Sequence, residues 1–323
     1  MRLMVTGGLG FIGMNFINYW LERYDDEIVN VDKGTYASND PHFLNNSNGR
    51  NYSFLKGDIS DAEFVNKAVK DVDVIVNFAA ESHVDNSISD SSTFVRTNIM
   101  GTHTVLEAVR KSEARFHHIS TDEVFGSLDL NSKIQFTENS CYSPKNPYSA
   151  TKASADHLVN AYINTYGIKA TISNCSNNYG PLQHPEKLIP KTIYRLLQGK
   201  KAQLYGNGNQ IRDWIFVEDH CSGIDAILKK GLIGESYLIG AENERTNFEV
   251  VSDIARVLDK DPEQSIEFIG DRPGHDVRYA INPNKIRSKL DWKPKHSFDE
   301  GLKSTVRFYV QNRHSFDRTG VVT

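Results

Sequence analysis

The stretch Thr6-Gly7-Gly8-Leu9-Gly10-Phe11-Ile12-Gly13 lies between a short apolar run, residues 2–6, and a helical pattern that starts at about Phe11. Its glycines match the spacing Gly-x-Gly-x-x-Gly, and also a wider Gly-x-x-Gly-x-x-Gly spacing that begins one residue earlier. Glycine permits a tight turn and lets backbone N–H groups approach a pyrophosphate at the helix N-terminus. Glycine-rich turns are common, but this one lies between a first strand and a first helix, where dinucleotides are bound. The stretch therefore predicts a dinucleotide site.

Beyond this turn, short apolar runs alternate with helical patterns as far as residue 174. The predicted strands span residues 2–6, 27–31, 52–56, 72–77, 116–119 and 170–174, and those at 52–56, 72–77 and 116–119 are predicted to be buried. The predicted helices span residues 11–22, 61–69, 92–112 and 148–166. Because parallel strands need crossover connections, this alternation predicts an α/β fold, a Rossmann-type doubly wound parallel sheet with helices on both faces.

The composition changes after residue 174. Segments rich in Asn, Gly and Pro interrupt the alternation, and helices are predicted at 188–198, 217–229 and 248–258. This texture predicts a smaller C-terminal α/β substrate lobe that closes over a site at the carboxyl edge of the sheet. The predicted division is an NAD-binding Rossmann domain at 1–174, a lobe at 175–315 with some segments that return to the Rossmann sheet, and a frayed tail at 316–323.

Asp32 ends the second predicted strand, close to the ~20-residue offset expected for an acid that binds an adenosine ribose. Its carboxylate would accept hydrogen bonds from the ribose diol and repel a 2′-phosphate, so NAD is favoured over NADP, although the adjacent Lys33 is compatible with NADP. Asp58 has two interpretations, a solvated loop acid or a ligand of the adenine amino group. Its context, Gly57-Asp58-Ile59, favours adenine.

The segment Tyr148-Ser149-Ala150-Thr151-Lys152 places a phenol and an ammonium four residues apart on one face of a helix. A nearby cation lowers the pKa of a phenol, which makes Tyr148 a candidate base for a sugar or alcohol hydroxyl. Tyr and Lys at this spacing also occur in ordinary amphipathic helices. The glycine turn and the Ser/Thr strand end before this helix favour the catalytic interpretation.

Ser120-Thr121-Asp122-Glu123-Val124 presents a hydroxyl and two adjacent carboxylates directly after the apolar run 116–119. An alcohol dehydrogenase needs the Tyr/Lys pair but not these carboxylates. Their presence indicates a second acid–base step after the oxidation. The alternative is a solvated capping or loop pair, and the position at the carboxyl end of a strand, where α/β sheets place their ligands, favours function.

The bulk composition excludes several classes of protein. The hydrophobic share of 39% and the charged share of 24% are those of a soluble globular chain, and the net charge of -4 comes with no basic run for nucleic acid or a membrane surface. No apolar run approaches the ~18 residues of a membrane span. Three dispersed cysteines indicate a reducing compartment, the cytoplasm, and the metal spacings of His and Cys are absent, so no metal is expected. Cys175 has no basic partner beside it and is interpreted as buried filler.

Over about residues 1–310 the chain resembles the extended short-chain dehydrogenase/reductases, and within them the dTDP-glucose 4,6-dehydratases. The motifs that show this resemblance are Asn77-Phe78-Ala79-Ala80-Glu81-Ser82-His83-Val84-Asp85, Ser120 to Val124, Asn174-Cys175-Ser176-Asn177-Asn178-Tyr179-Gly180-Pro181, Pro185-Glu186-Lys187-Leu188-Ile189-Pro190, Arg212-Asp213-Trp214 and Asp271-Arg272-Pro273-Gly274-His275-Asp276. The chain departs from the usual family pattern at Gly34, Asn86, Phe125 and Thr151, and in a short 126–148 connection.

The resemblance implies two sets of binding residues. The residues expected to hold NAD, including the glycines of the turn, are Gly7, Gly10, Phe11, Ile12, Gly13, Asp32, Lys33, Thr35, Asp58, Ile59, Ala79, Ala80, Thr97, Tyr148, Lys152 and Asn178. Those expected to hold a sugar nucleotide are Ser82, Thr121, Asn177, Lys187, Leu188, Gln203, Tyr205, Arg212, Asn247, Arg272 and His275. If Arg212 does not bind the sugar nucleotide, the alternative is that it forms a surface salt bridge with Asp213. For His83 the alternative to a functional role is a packed or solvated loop residue.

The resemblance also implies the chemistry. Tyr148, helped by Lys152, would take the proton of the sugar 4-hydroxyl while Thr121 orients that hydroxyl. Glu123 is then the expected base at C5 and Asp122 the acid that protonates the departing C6 hydroxyl, which requires two separated pKa values. The resemblance does not decide whether the nucleoside of the substrate is thymidine or uridine. A homodimer is expected through the helices 92–112 and 148–166.

Two other functions fit the same cofactor motif. A nucleotide-sugar 4-epimerase shares the Tyr/Lys pair, but epimerases of this superfamily generally lack an acidic pair after the strand-end Ser/Thr. A non-catalytic NAD-binding regulator tends to lose the Tyr/Lys pair, which this chain keeps.

Overall fold

The structure, a computed structural model, describes residues 1–44, 49, 51–271 and 274–313. Within these residues the strands are β1 (Arg2–Thr6), β2 (Glu27–Asp32), β3 (Tyr52–Lys56), β4 (Val74–Asn77), β5 (Arg115–Thr121), β6 (Ala170–Cys175), β7 (Asn177–Tyr179), β8 (Ala202–Tyr205), β9 (Ile211–Phe216), β10 (Ser236–Ile239), β11 (Glu244–Thr246) and β12 (Ile266–Ile269). The α-helices are α1 (Phe11–Leu21), α2 (Ala62–Ala68), α3 (Val84–Ser89), α4 (Ser91–Phe94), α5 (Thr102–Arg110), α6 (Pro147–Tyr166), α7 (Leu188–Leu197), α8 (Val217–Lys230), α9 (Asn247–Val257), α10 (Pro262–Ser265), α11 (Asn284–Leu290) and α12 (Phe298–Gln311).

Seven strands form one parallel sheet in the order β10-β6-β5-β4-β1-β2-β3. The chain moves outward from β1 through β2 to β3 and then returns to the other side of β1 as β4. The carboxyl ends of β1 and β4 therefore flank the point where the winding reverses, which is where α/β sheets open a ligand crevice. The predicted Rossmann-type doubly wound fold is confirmed.

Both faces of this sheet are covered, as strand periodicity requires. Leu3 and Val5 belong to one buried cluster, which includes apolar residues of α1 and α8, whereas Met4 belongs to the cluster on the opposite face, which includes residues of α5 and α6. Successive side chains of a strand point to opposite faces, so β1 contributes to both cores.

β3 was predicted as a buried strand, and this prediction is wrong. The strand exists with the expected bounds, but it lies at the edge of the sheet, and Phe54 is 41% exposed. An apolar run indicates a strand, but only the order of the strands decides which of them has a neighbour on each side.

The single helix predicted at 92–112 is divided. A π-helical segment, Val95–Gly101, separates α4 from α5 and includes Thr97 and Asn98. π-helical turns are rare and frequently mark functional sites, and Asn98 donates hydrogen bonds from this segment to the Glu81 carbonyl at 3.0 Å and to Thr151 Oγ1 at 2.9 Å. The irregular turn thus joins α6 to the loop after β4.

The later part of the chain forms two small sheets, β11-β9-β7 and β12-β8, which pack with α7, α9 and α12 around a separate buried cluster. β10, which also comes from this part, pairs with β6 in the large sheet. The domain boundary at residue 174 stays a prediction, and the tail at 316–323 lies outside the described residues. In the part of the chain that the structure describes, no helix is both long and apolar enough to cross a membrane.

Candidate active site

The glycine turn after β1 needs residues without a side chain. Gly7 has a φ of +69°, and a Cβ there would lie 2.7 Å from the Ala79 nitrogen. A Cβ on Gly13 would lie 2.3 Å from the Gly7 carbonyl oxygen. Gly10, the N-cap of α1, has no side chain that could bond the first amides of the helix, which leaves them for phosphate oxygens.

Asp32 is buried at the end of β2, with 8% of its surface exposed. Its Oδ2 accepts a hydrogen bond from the Leu9 amide at 3.0 Å, and its Oδ1 accepts from the Gly34 amide at 2.8 Å and Ser38 Oγ at 3.2 Å. These bonds fix the carboxylate against the glycine turn. Each carboxylate oxygen has two acceptor sites, so Oδ2 can still accept a ribose hydroxyl.

Lys33 follows Asp32, and its positive charge is compatible with the 2′-phosphate of NADP. Its Nζ lies 3.8 Å from Asp58 Oδ2, 3.6 Å from Glu81 Oε1 and 3.4 Å from Thr97 Oγ1. Two carboxylates near one ammonium disfavour a further phosphate dianion there. The surroundings of Lys33 therefore support the preference for NAD.

Asp58 has the contacts of a loop acid, and its role as an adenine ligand stays a prediction. Its Oδ1 accepts hydrogen bonds from the amide and the hydroxyl of Ser60, at 2.8 and 2.9 Å, which is the role of a loop acid. Its side chain also lines the same cavity as Asp32.

This cavity has a volume of about 300 Å³ and runs from the glycine turn to the ends of β5 and β6. Every residue predicted to bind NAD lines it: Gly7, Gly10, Phe11, Ile12, Gly13, Asp32, Lys33, Thr35, Asp58, Ile59, Ala79, Ala80, Thr97, Tyr148, Lys152 and Asn178. The five predicted catalytic residues line it as well: Thr121, Asp122, Glu123, Tyr148 and Lys152. In the described residues no group of three or more His, Cys, Asp or Glu side chains is arranged to hold a metal.

The acidic pair follows β5 on a 3₁₀ turn, Asp122–Phe125. Thr121 caps this turn, since its Oγ1 accepts from the Glu123 amide at 3.3 Å and donates to Asp122 Oδ1 at 3.3 Å. Asp122 Oδ2 is buried without a hydrogen-bond partner. Burial, together with the charges of Glu123 and Asp213, raises the pKa of Asp122 well above its usual value. These surroundings therefore favour the protonated form of Asp122.

The environment of Tyr148 differs from the predicted one. Burial first, and then the charge of Glu123, raises the pKa of the Tyr148 phenol well above its usual value. The amine of Lys152 is held by other groups: its Nζ donates to the Ile119 carbonyl at 2.7 Å and lies 3.5 Å from His118 Nε2, and burial lowers the pKa of Lys152. Lys152 is not among the main influences on the Tyr148 pKa in the protein without ligands, so its expected help to Tyr148 stays a prediction.

The residues predicted to bind the sugar nucleotide fall into two groups. Ser82, Thr121, Asn177 and Lys187 line the cavity, and Lys187 Nζ donates to the Ser82 carbonyl at 2.8 Å. The others are not part of its lining: Leu188, Gln203, Tyr205, Arg212, Asn247 and His275. Arg272 lies outside the described residues.

Two members of the second group, Tyr205 and His275, lie together. The rings of Tyr205 and His275 meet edge to face at 6.0 Å, and the Tyr205 hydroxyl lies 3.5 Å from Asp85 Oδ2 on α3. The first turn of α9, which includes Asn247, is linked to Tyr205 through Gly208: the Phe248 amide donates to the Gly208 carbonyl at 3.0 Å, and the Gly208 amide donates to the Tyr205 carbonyl at 3.2 Å.

Arg212 is not a surface salt bridge, so that alternative is wrong. The side chain is buried, donates to the carbonyls of Ile211 and Asp276 at 2.8 and 2.9 Å, and lies 4.3 Å from the centre of the Tyr279 ring. Its charge lowers the pKa of Asp122, against the larger raising effects. The guanidinium is therefore close enough to Asp122 to act on its pKa, although it does not line the cavity.

The sequence interpretation missed several cavity residues on the segment after β6. Ser176, Gln183, His184 and Glu186 line the cavity, and buried polar atoms of the first three have no hydrogen-bond partner, as expected where a polar ligand binds. Ser176 and Glu186 belong to the motifs 174–181 and 185–190 that show the family resemblance, whereas Gln183 and His184 lie between these motifs, where no local pattern marks them. Glu186 Oε2 lies 3.6 Å from His184 Nδ1 and 3.8 Å from His83 Nδ1, so His83 lies next to a residue that lines the cavity.

Cys175 also lines the cavity. It is buried, and burial raises the pKa of its thiol to about 12. A thiol of this kind is a poor nucleophile, in agreement with its interpretation as filler.

Fold and site together define a class: an extended short-chain dehydrogenase/reductase with a dinucleotide cradle, a Tyr/Lys pair and two acids in one cavity. The family model described as GDP-mannose 4,6 dehydratase matches residues 4–305. The dTDP-glucose 4,6-dehydratase of Mycobacterium tuberculosis (strain CDC 1551 / Oshkosh) is 49% identical over 314 residues, which are 97% of this chain and 94% of that protein. The chain belongs to this dehydratase family, and within it to the dTDP-glucose 4,6-dehydratases, as its motifs predicted.

Solved structures agree. DesIV, the dTDP-glucose 4,6-dehydratase from Streptomyces venezuelae with NAD and TYD bound, has a TM-score of 0.94 and 42% identity, over 99% of this chain and 100% of that chain. The UDP-glucuronic acid 4-epimerase from Bacillus cereus, in complex with UDP-glucuronic acid and NAD, has a TM-score of 0.89 at 27% identity, over 96% of this chain and 99% of that one. Dehydratases and epimerases therefore share this fold, and only the residues of the site can distinguish the two activities.

Proposed function

We propose that this protein is an NAD-dependent dTDP-glucose 4,6-dehydratase that forms dTDP-4-keto-6-deoxyglucose. The observation that supports this function best is that Asp122 and Glu123 line one cavity with Tyr148 and Lys152. An oxidation site thus shares its space with an acid and a base. The names of the relatives support dTDP-glucose as the substrate.

The cradle fits NAD, because side chains on Gly7 and Gly13 would clash with backbone atoms and Asp32 is held at the end of β2. The chemistry that bound NAD supplies is reversible acceptance of a hydride, taken from C4 and returned at C6. The residues proposed to hold NAD belong mainly to residues 1–174, and those that hold the sugar nucleotide belong mainly to residues 175–315.

The first proton moves to Tyr148. Its phenolic oxygen takes the proton of the 4-hydroxyl as C4 becomes a ketone, and Thr121 orients that hydroxyl. Burial and Glu123 raise the pKa of Tyr148, so the phenolate needs positive charge beside it. Lys152, which lines the same cavity one helical turn later, supplies that charge.

The acidic pair then removes water. The 4-ketone acidifies the C5 hydrogen, and Glu123 takes it as a proton. Asp122, whose protonated form burial favours, gives its proton to the C6 hydroxyl, which leaves as water. With the hydride added at C6 and a proton added at C5, the product differs from the substrate only by the loss of one water.

The test is incubation of the purified protein with dTDP-glucose, followed by the alkali-induced absorbance of a 4-keto sugar. UDP-glucose in a parallel reaction tests the preference for the nucleobase of the substrate, and Tyr148→Phe is the inactive control. A 4-epimeric sugar nucleotide without the keto signal would make the protein an epimerase. Tight NAD binding with no turnover of either substrate would make it a regulator.

We infer further that the protein is a cytoplasmic homodimer. The predicted contact helices have exposed apolar side chains, since Val95, Met100 and Tyr166 are 44%, 52% and 52% exposed. Such side chains on adjacent helices suit a second copy of the same surface. Size-exclusion chromatography with light scattering tests this: a mass near twice 36.5 kDa is expected, and Met100→Glu should shift it towards 36.5 kDa.

A further inference from the structure

Helix α6 carries a carboxylate, that of Asp156, on the same face as Tyr148 and Lys152. Tyr148, Lys152 and Asp156 follow one another at four-residue intervals, so they share one face of the helix. Asp156 is fully buried. A carboxylate is almost never fully buried unless it is paired, so its surroundings must account for it.

One oxygen of Asp156 is satisfied by neutral donors. Oδ2 accepts hydrogen bonds from Ser120 Oγ at 2.8 Å, from the Tyr142 hydroxyl at 2.9 Å and from Asn174 Nδ2 at 3.1 Å. These donors come from β5, from the loop before α6 and from β6. The carboxylate is therefore fixed in place from three sides.

The other oxygen faces the lysine through a histidine. Oδ1 has no hydrogen-bond partner and lies 3.4 Å from His118 Nε2. The same Nε2 lies 3.5 Å from Lys152 Nζ. Asn77 Nδ2, which lies 3.2 Å from His118 Nδ1, holds the other side of the imidazole ring. His118 thus stands between a buried carboxylate and a buried amine.

The other titratable groups around this pair are suited to be neutral. On β5, burial lowers the pKa of His118 well below its usual value and that of His117 to about 3. In the loop before α6, burial raises the pKa of Tyr142, and on β6 it raises the pKa of Cys175 to about 12. On α6 itself, burial raises the pKa of Tyr148.

Lys152 and Asp156 are then the charges that can compensate each other. Burial lowers the pKa of Lys152 and raises that of Asp156, while each charge favours the charged form of the other. Without the carboxylate, the buried amine loses its compensating charge.

We propose that Asp156 is the positioning residue that keeps Lys152 protonated and held at Ile119, with His118 as the neutral spacer between them. This inference rests on the proposed function only in that Lys152 acts beside Tyr148. Asp156 itself lies outside the lining of the cavity.

The first experiment is the pH profile of dTDP-glucose turnover for Asp156→Asn. Asparagine keeps the size and loses the charge, so the pKa of Lys152 should fall and the high-pH limb should move down by about one unit or more. We expect kcat to fall by about tenfold or more with KM nearly unchanged. Tyr142→Phe is the matched control, because it removes one hydrogen bond to the same carboxylate and keeps the charge, and its high-pH limb should stay in place. An unchanged profile in Asp156→Asn would overturn the proposal.

The second experiment needs no turnover, so it also tests the charge pair if the proposed function fails. Unfolding by urea is compared for the native protein, Asp156→Asn, Lys152→Met and the double variant. A charge pair predicts that the double variant loses less stability than the sum of the two single losses. Strict additivity would overturn the proposal. If Asp156→Asn does not fold, a folded double variant supports the charge pair, and an unfolded one shows that the hydrogen bonds of Asp156, not its charge, are essential.

Discussion

Asp122 and Glu123 are consecutive residues at the carboxyl end of β5, yet Asp122 is 1% exposed whereas Glu123 is partly exposed. Burial and the Glu123 charge raise the pKa of Asp122. Two neighbouring carboxyl groups with different environments can perform opposite proton transfers. The pair therefore has the arrangement that an elimination requires.

Replacement of Glu123 by Gln should separate oxidation from dehydration. The change keeps the shape but removes the base, which is worth typically ~10²–10⁴-fold in rate. Oxidation at C4 should continue, so bound NADH and a 4-keto hexose should accumulate, and solvent deuterium should no longer enter C5. Near-normal 6-deoxy product from Glu123→Gln would defeat the assignment. Asp122→Asn is the paired variant, which should lose the C6 step while C5 exchange persists.

Replacement of Tyr148 by Phe should stop the reaction before any oxidation. Only the phenolic oxygen is lost, and the edge contact of this ring with Phe94, at 6.4 Å between ring centres, is retained. We expect NAD and substrate to bind with nearly native affinity while NADH formation after substrate addition falls by about 10²-fold or more. Formation of bound NADH at the native rate would exclude Tyr148 as the base.

The local parts of the site could be predicted from the sequence. The glycine turn, Asp32 and the acidic pair each depend on a strand end and a few adjacent residues, and the sheet brings them to one edge because all strands are parallel. A family resemblance then supplied residues such as Thr97 and Asn178, which no local pattern indicated.

Properties that depend on distant packing could not be predicted. The exposure of β3 follows from its place at the sheet edge, and the burial of Arg212 follows from its contact with Asp276, far along the chain. Asp156 follows Lys152 at a helical spacing that many exposed pairs share. Its burial and its donors from β5 and β6 appear only in three dimensions.

Replacement of Asp32 by Ala should weaken NAD binding. A charge-assisted hydrogen bond to the ribose is worth about 1.5–3 kcal/mol, so the loss should be roughly tenfold or more for each bond. The preference for NAD over NADP should also narrow, because the repelling charge is lost. Titration by isothermal calorimetry measures both ligands, with Asp58→Ala as a comparison at the other proposed adenosine contact. An unchanged NAD affinity would show that the ribose binds elsewhere.

Replacement of Gly13 by Ala should abolish NAD binding through the backbone. The added Cβ would lie 2.3 Å from the Gly7 carbonyl oxygen and 2.9 Å from the Gly8 Cα, so the turn must open. Gly270→Ala is the matched control, because a Cβ there meets nothing within 4 Å. The control should keep native cofactor content, measured by absorbance after denaturation. Native content in Gly13→Ala would show that the turn does not shape the cofactor site.

Asp213 provides a prediction about stability and pH. Burial raises its pKa from 3.8 to about 6, although the amide of Asn243 donates to its Oδ1 at 2.7 Å. Between these two values the folded protein holds a proton that the unfolded chain has released, so this residue makes stability fall as the pH rises through that window.

The shift of about two pKa units corresponds to about 3 kcal/mol. Asp213→Asn has no carboxyl group to titrate and so lacks this loss. Its free energy of unfolding, relative to that of the native protein, should therefore rise by roughly that amount from pH 4 to pH 7. Urea unfolding at both pH values and at one protein concentration measures the difference. Asp129→Asn, which removes one charge from an exposed loop, should show no comparable gain. An equal response of the two variants would mean that net charge, and not the burial of Asp213, sets the pH dependence.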